Sequence, residues 1–222
     1  MTAGCNTIPD SLGARLSYKP KELRFGTSGR RGDVTDLSQL EIYINVLAEL
    51  EYLQTVPLSE GGIVRGDPFY YGYDLRPSST RFVPEQQRRG EIAQAVERSI
   101  QDTGMIPVNL GSIPTPALTC YALRQSKGSI MVTGSHIPFE KNGYKTNTSI
   151  GELLKENEAP INQRVTHVRK RVYDQPYNNS CFDERGMFKS GHIELLPETD
   201  VAARAYIQRY TDFFAGRTLQ RK

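Results

Sequence analysis

Cysteine, long apolar runs and a charge excess are all scarce in this sequence, and each scarcity removes a class of protein. Three cysteines, Cys5, Cys120 and Cys181, lie far apart with no CxxC pair. That spacing argues against a disulfide framework or a zinc site and fits reduced thiols in a cytosol. No stretch reaches the roughly 18 apolar residues that a membrane-spanning helix needs. The first twenty residues hold Pro9, Asp10 and Pro20 without an apolar run, so no signal peptide is legible. These absences predict a cytoplasmic protein with no membrane partner. The formal net charge is only +3, from 28 basic and 25 acidic residues spread along the chain. Only His167-Val168-Arg169-Lys170-Arg171 is concentrated, and such runs are mostly solvated helix faces, so no nucleic-acid partner is expected. No internal repeat is visible.

What is present is enough for one good core. With 222 residues and 37% apolar content, the chain can bury a single domain with a smaller appendage. Residues 1–20 read as a flexible polar leader. Thr35 or Asp36 can cap a helix in which Leu37, Leu40, Ile44, Leu47 and Leu50 share one face. The run FYYGYDLRPSS is rich in strand formers and stops at Pro77. A second helix is expected from about Pro84 to Thr103, with Gly104 past its end. MIPVNLGSIPTP reads as strand and turn, followed by a helix opened by Thr115-Pro116. SIMVTG is an apolar strand expected to be buried on both faces. Residues 143–149 predict an edge strand, and 152–172 a helix interrupted at Pro160.

Strands alternating with helices predict an α/β protein, a three-layer α/β/α domain with a mixed, mostly parallel sheet. This domain would occupy residues 21–173. Residues 174–197 are turn-rich and read as a linker or mobile hairpin. Residues 198–222 read as a lone helix after the linker, with no domain in this sequence to join.

The stretch VTGSHIPFEKNGYK, residues 132–145, leaves the buried strand at its carboxyl end, where ligands of open α/β sheets bind. Ser135 beside His136 suggests an exposed hydroxyl for group transfer, which at neutral pH needs a neighbouring base. Neighbouring side chains seldom face each other, so His136 could instead contact substrate. Asn142-Gly143 favours a tight turn that would fold Lys145 back over the loop. The alternative is a plain hairpin with an ordinary loop serine. Arg30 and Arg31, in the glycine- and hydroxyl-rich FGTSGRRGD, could hold a phosphate between guanidinium groups and backbone N–H groups.

Four blocks, taken in order, resemble the N-terminal domain of the α-D-phosphohexomutases, the phosphomannomutase and phosphoglucomutase family. They are FGTSGRRG at 25–32, GYDLRPSS at 72–79, IPTPAL at 113–118 and TGSHIPFEKNGYK at 133–145. The resemblance covers residues 23–172, and 198–217 resembles the helix that opens the family's second domain. It implies interconversion of hexose 1-phosphate and 6-phosphate through a phosphoserine and a hexose 1,6-bisphosphate, which also serves as activator. Ser135 would carry the phosphoryl group, Lys145 would be an acid/base group, and His136 would position the reactants. Thr27, Ser28 and Arg31 would line the same cleft, with Arg30 and Asn142 as further phosphate contacts. Asp74 and Arg76 would brace the loops. The resemblance also implies Mg2+ bound through the phosphate on Ser135. The family's more common loop has alanine and asparagine where Gly134 and Ile137 stand; the variant here resembles one bacterial phosphomannomutase-type branch, which implies mannose over glucose.

The aspartate-rich metal loop and the sugar-recognition loops of such enzymes have no counterpart in this sequence. The expectation is therefore a truncated chain, inactive alone, completed by missing domains in trans or prone to self-association. The alternatives are a non-catalytic phosphosugar- or partner-binding domain, and an unrelated hydrolase using a Ser135–Lys145 pair.

Overall fold

The aromatic run at 69–73 takes the inside of a sheet because its alternate side chains have two separate cores to fill. The computed structural model describes residues 10–26 and 29–215; the expectations for Cys5, Thr27 and Ser28 lie outside them. In chain order the helices are α1 (Leu12–Arg15), α2 (Gln39–Leu53), α3 (Pro77–Thr80), α4 (Ile92–Asp102), α5 (Thr115–Arg124), α6 (Glu158–Tyr173) and α7 (Val201–Phe214). The strands are β1 (Arg30–Asp33), β2 (Pro68–Tyr73), β3 (Phe82–Val83), β4 (Arg89–Gly90), β5 (Ile106–Ser112), β6 (Ser129–Val132) and β7 (Lys141–Asn147).

The main sheet has the order β1-β7-β6-β2-β5. Pairings of β2 with β5 and β6 are parallel, and those of β7 with β6 and β1 are antiparallel. Four strands therefore point one way and β7 alone runs back, giving the mixed, mostly parallel sheet. Phe69, Tyr71, Tyr73, Ile130 and Val132 face the larger core with α2, α4 and α6. Tyr70 and Met131, on the alternate positions, face a smaller core with α5 and α7. These are the three layers.

Three sequence expectations change. β7 is an inner strand, not an edge, because β1 pairs along its open side. The helix expected from 84 begins only at Ile92: Gln87, Arg88 and Glu91 hold left-handed backbone, and the β3–β4 hairpin occupies the gap. Helix α2 is capped by Ser38, whose Oγ accepts from the Glu41 N–H at 3.2 Å, while Thr35 and Asp36 lie in a preceding 3-10 turn. It is also buried all round rather than on one face. Its polar stripe of Glu41, Asn45 and Glu49 lies under α6 and the sheet.

The described part of the leader and the stretch 174–197 are packed rather than free. Leu12 is fully buried, and its N–H donates to the Gln175 carbonyl at 2.9 Å. Phe182 and Phe188 form an antiparallel bridge and stack with ring centroids 4.7 Å apart, and the Phe188 N–H donates to Gln39 Oε1 at 2.8 Å. These aromatics fill the end of the larger core, which turn-rich composition alone does not reveal. Helix α7 lies against α5 with Ala202 fully buried, and the Thr199 N–H ties its approach to the Asn109 carbonyl at 2.9 Å. Ile207 and Phe214 on the same helix remain exposed.

The packed strap meets a buried carboxyl. Glu91 is 3% exposed, one oxygen lies 2.5 Å from His192 Nδ1, and the other has no partner among the described residues. Burial raises its pKa above the usual carboxylate range, against an opposing pull from His192. A raised folded value means that any stability from this group is present below the unfolded carboxyl pKa of about 4.3. It is lost as pH rises through the folded value. Glu91→Gln should therefore equal or exceed the parent chain in stability at pH 7, and the two should converge near pH 4. Urea titrations across that range test this; a variant less stable at pH 7 contradicts it.

Candidate active site

Parallel pairing of β2 and β6 sets two of the sequence motifs side by side. Tyr73 is opposite Val132, and the Asp74 N–H donates to the Val132 carbonyl at 2.9 Å, so GYDLRPSS and TGSHIP leave the same end of the sheet together. Asp74 then reaches across. Its Oδ2 accepts from the Thr133 hydroxyl at 2.9 Å and the Gly134 N–H at 3.2 Å, and its Oδ1 accepts from the Arg76 N–H at 3.0 Å and the Ser79 hydroxyl at 2.7 Å. Arg76 closes the loop from the other side. Its Nη1 donates to the carbonyls of Pro138 at 2.8 Å and Lys141 at 2.9 Å. Its Nη2 donates to those of Ile137 at 2.7 Å and Ser135 at 3.2 Å, and its Nε faces Asp74 at 3.4 Å. The brace expected of Asp74 and Arg76 is thus explicit, with all four Nη hydrogens donated to loop carbonyls and Nε in ion-pair contact with Asp74.

The clamp explains the glycine at 134. A Cβ there would fall 2.6 Å from Arg76 Cζ and Nε, so the guanidinium can lie against the loop only because position 134 has no side chain.

Held this way, Ser135 is exposed and takes a left-handed backbone with φ 55°, rare for a residue other than glycine. Its N–H donates to the Thr133 hydroxyl at 2.8 Å, which fixes the turn. The turn also brings its Oγ within 3.3 Å of His136 Nδ1, so these adjacent side chains do face each other. That separation is long for an O–H···N bond and leaves the hydroxyl open to solvent and to a reactant.

The other candidates separate into two faces. On a strand, alternate residues point to opposite sides. Arg31 is opposite Gly143, and Lys145 is opposite Met131, which belongs to the smaller core; both thus project from the side of the sheet turned away from α2. No β1 or β7 residue belongs to that smaller core, so their part of the face is not sealed by it. Arg31 is level with Gly143, whose carbonyl accepts from the Thr133 N–H at 3.0 Å, at the start of the serine loop. Arg31 has no side-chain partner among the described residues. The Lys145 ammonium pairs with Glu152 rather than with Ser135, so the hydrolase-type Ser–Lys pair is not formed.

Arg30 and Asn142 are the corrections. Arg30, expected to hold a phosphate, is 1% exposed and points into the larger core. Its Nε donates to Glu49 Oε1 at 2.8 Å, Nη2 to Asn162 Oδ1 at 2.9 Å, and Nη1 to the Leu23 carbonyl. Burial alone would disfavour its charge, but Glu49 and Tyr144 outweigh that and hold its pKa above the usual value. Asn142 is fully buried inside β7 rather than in a tight turn, and its Nδ2 donates to the hydroxyls of Ser78 at 2.8 Å and Ser79 at 3.1 Å. Neither side chain is available to a ligand. Sequence reasoning also missed Thr133, Glu152 and Glu49. Only Thr133, inside the quoted serine loop, carried a local signal.

Among the described residues no group of three or more His, Cys, Asp or Glu side chains could hold a metal ion. Asp74, the carboxylate beside the serine loop, is already used by four donors and Arg76. These residues do not by themselves form a divalent-cation shell. A cavity of about 420 Å³ lies elsewhere, between α4 and the 180–194 strap. Its cations are engaged, Arg98 with Asp102 and Lys189 with the Tyr177 carbonyl.

The model of phosphoglucomutase/phosphomannomutase, alpha/beta/alpha domain I, matches residues 22–172. The chain belongs to the phosphoglucomutase/phosphomannomutase family. The phosphomannomutase of Salmonella muenchen is 32% identical over 207 residues, which cover 90% of this chain and 34% of that protein. A probable phosphoglucosamine mutase of Methanosphaera stadtmanae is 29% identical over 192 residues, 82% of this chain and 36% of that protein. Among solved structures, a putative phosphomannomutase from Thermus thermophilus superposes with TM-score 0.57 at 22% identity, over 88% of this chain and 37% of that one. That likeness carries the fold alone. The chain spans about a third of the length of these family members. Relatives named phosphomannomutase, phosphoglucosamine mutase and phosphoglucomutase leave the sugar open. Among the described residues no helix is long and apolar enough to cross a membrane.

Proposed function

We propose that this chain supplies the phosphoryl-carrying domain of a phosphohexomutase, with Ser135 passing a phosphoryl group to and from a hexose phosphate. The observation that carries the reading is the exposed Ser135 hydroxyl on a left-handed turn clamped through Asp74, Thr133 and Arg76. Phosphorylated, this serine donates to a sugar hydroxyl: the sugar oxygen bonds to phosphorus as the Oγ–phosphorus bond breaks. The sugar hydroxyl's proton leaves to a base, and the released Oγ regains one. His136 Nδ1, 3.3 Å from Oγ, is the nearest group to return it. Arg31, without a side-chain partner among the described residues, is available to neutralise phosphate charge, and Lys145, once released from Glu152, to move a proton at the sugar. The bisphosphate then turns over and returns its other phosphate to Ser135. A magnesium ion would neutralise the phosphoserine, but the described residues do not supply its shell. Turnover is therefore proposed only where further ligands and sugar contacts come from outside them, and the chain alone should have negligible mutase activity. Mannose 1- and 6-phosphate are the first substrates to try.

The test is incubation with a hexose 1,6-bisphosphate, with and without the remaining domains of a longer relative, followed by intact-mass measurement and peptide mapping. One phosphate should appear on Ser135 in the complemented reaction and none in Ser135→Ala. Phosphate elsewhere, or none, overturns the reading.

A further inference from the structure

Glu49 sits on α2, far in sequence from the serine loop and on the other side of the sheet from Arg31 and Lys145. Its carboxylate is 1% exposed and takes three hydrogen bonds from the sheet. Oε1 accepts from Arg30 Nε at 2.8 Å and from the Tyr144 hydroxyl at 3.0 Å, and Oε2 accepts from the Thr146 hydroxyl at 2.6 Å. These donors are not arbitrary neighbours. Arg30 immediately precedes Arg31, and Tyr144 and Thr146 flank Lys145 on both sides. Because side chains alternate along a strand, the residues whose backs Glu49 grips are those whose fronts are Arg31 and Lys145. Arg30 and Tyr144 are also directly paired across β1 and β7, so one carboxylate spans both strands. Through Arg30 Nη1 the same network holds the Leu23 carbonyl, on the approach to the glycine-rich loop.

We infer that Glu49 is a positioning residue. It sets the separation and register of β1 and β7, and with them the placement of the Arg31 guanidinium and the Lys145 ammonium toward a phosphate. A shared charged acceptor suits this role better than packing does, since charge-assisted hydrogen bonds are short and directional. Apolar contacts would tolerate sliding of one strand along the other.

This inference rests on the proposed phosphate-handling face, and its test separates the two. Thr146→Val and Tyr144→Phe each remove one donor while leaving the Arg30–Glu49 pair intact. Tyr43→Phe is the control: it removes a comparable hydrogen bond in the same core, from the Tyr43 hydroxyl on α2 to Asp102 Oδ2 on α4 at 2.8 Å, which involves no β1 or β7 residue. Inorganic phosphate should protect Lys145 of the parent chain from acetylation, read by peptide mass. In Thr146→Val and Tyr144→Phe the phosphate concentration for half-protection should rise about fivefold, the factor corresponding to one hydrogen bond. In Tyr43→Phe it should not move. Equal shifts in all three variants, tracking their melting temperatures, or no shift in the first two, overturn the inference. If phosphate fails to protect Lys145 even in the parent chain, the phosphate-handling reading fails instead. The inference then stands or falls on hydrogen exchange. Thr146→Val must speed exchange in the β1–β7 ladder more than in the β2–β5 ladder, and a uniform change overturns it.

Discussion

Arg30→Met is expected to destabilise the fold by about 3–5 kcal/mol, because it removes one half of a buried ion pair and leaves the other half charged. Both side chains of that pair are nearly inaccessible, at 2% and 1% exposed. With the guanidinium gone, Glu49 keeps only the Tyr144 and Thr146 hydroxyls, and the Leu23 carbonyl and Asn162 lose their donor. Against a typical total stability of about 5–15 kcal/mol, such a loss brings the chain near unfolding at room temperature. Urea titration followed by circular dichroism measures it. The result discriminates between two roles for the same residue. A phosphate-contacting arginine at the surface would leave the midpoint almost unchanged and weaken only anion binding. Adding Glu49→Met to Arg30→Met should recover part of the loss, since the uncompensated charge is then removed, although two buried hydroxyls remain unpaired. No recovery would mean that the cost lies in packing rather than in charge.

Arg76→Lys is expected to lower phosphoryl acceptance at Ser135 by about a hundredfold, the scale on which a displacement of roughly 1 Å at a reacting group acts. The substitution keeps the charge and loses the fork. Arginine serves four carbonyls and a carboxylate from a planar group, whereas an ammonium has three donors radiating from one atom. At least one of the carbonyls at Ser135, Ile137, Pro138 and Lys141 is then released, and more if the ammonium also keeps Asp74. The loop relaxes away from the left-handed geometry that projects Ser135. Global stability should change little, because the clamp lies at the rim and not in either core. The measurement is the rate of phosphate incorporation at Ser135 in the complemented reaction, alongside the melting temperature. An unaltered rate would mean that Thr133 and Asp74 suffice to hold the turn.

Much of the architecture is written in local pattern. Ile130-Met131-Val132 could only be a buried strand, because nothing in that run tolerates water, and it is buried on both faces. Gly104 follows α4 with φ 74°, as a helix-ending glycine should. The motif GYDLRPSS showed its turn through Pro77, which stands at the first position of α3. Where the sequence misled, the cause was a partner distant along the chain. RRGD has no apolar alternation and reads as a loop, yet it is a strand because β7 pairs with it and Glu49 neutralises Arg30. Asn142-Gly143 has the composition of a tight turn, yet lies within β7, where a Cβ on Gly143 would collide with the Arg30 backbone.

Residue order alone was sufficient to mark the serine loop, its bracing motif and the layered α/β plan, since each depends on neighbours a few positions apart. Which arginine of the Arg30-Arg31 pair meets solvent is a different kind of question. Strand alternation sends them to opposite faces, and the position of Glu49 on α2 makes the inner face the one that accepts Arg30. A buried charge survives only opposite its counter-charge, and that pairing exists only after the chain has closed on itself.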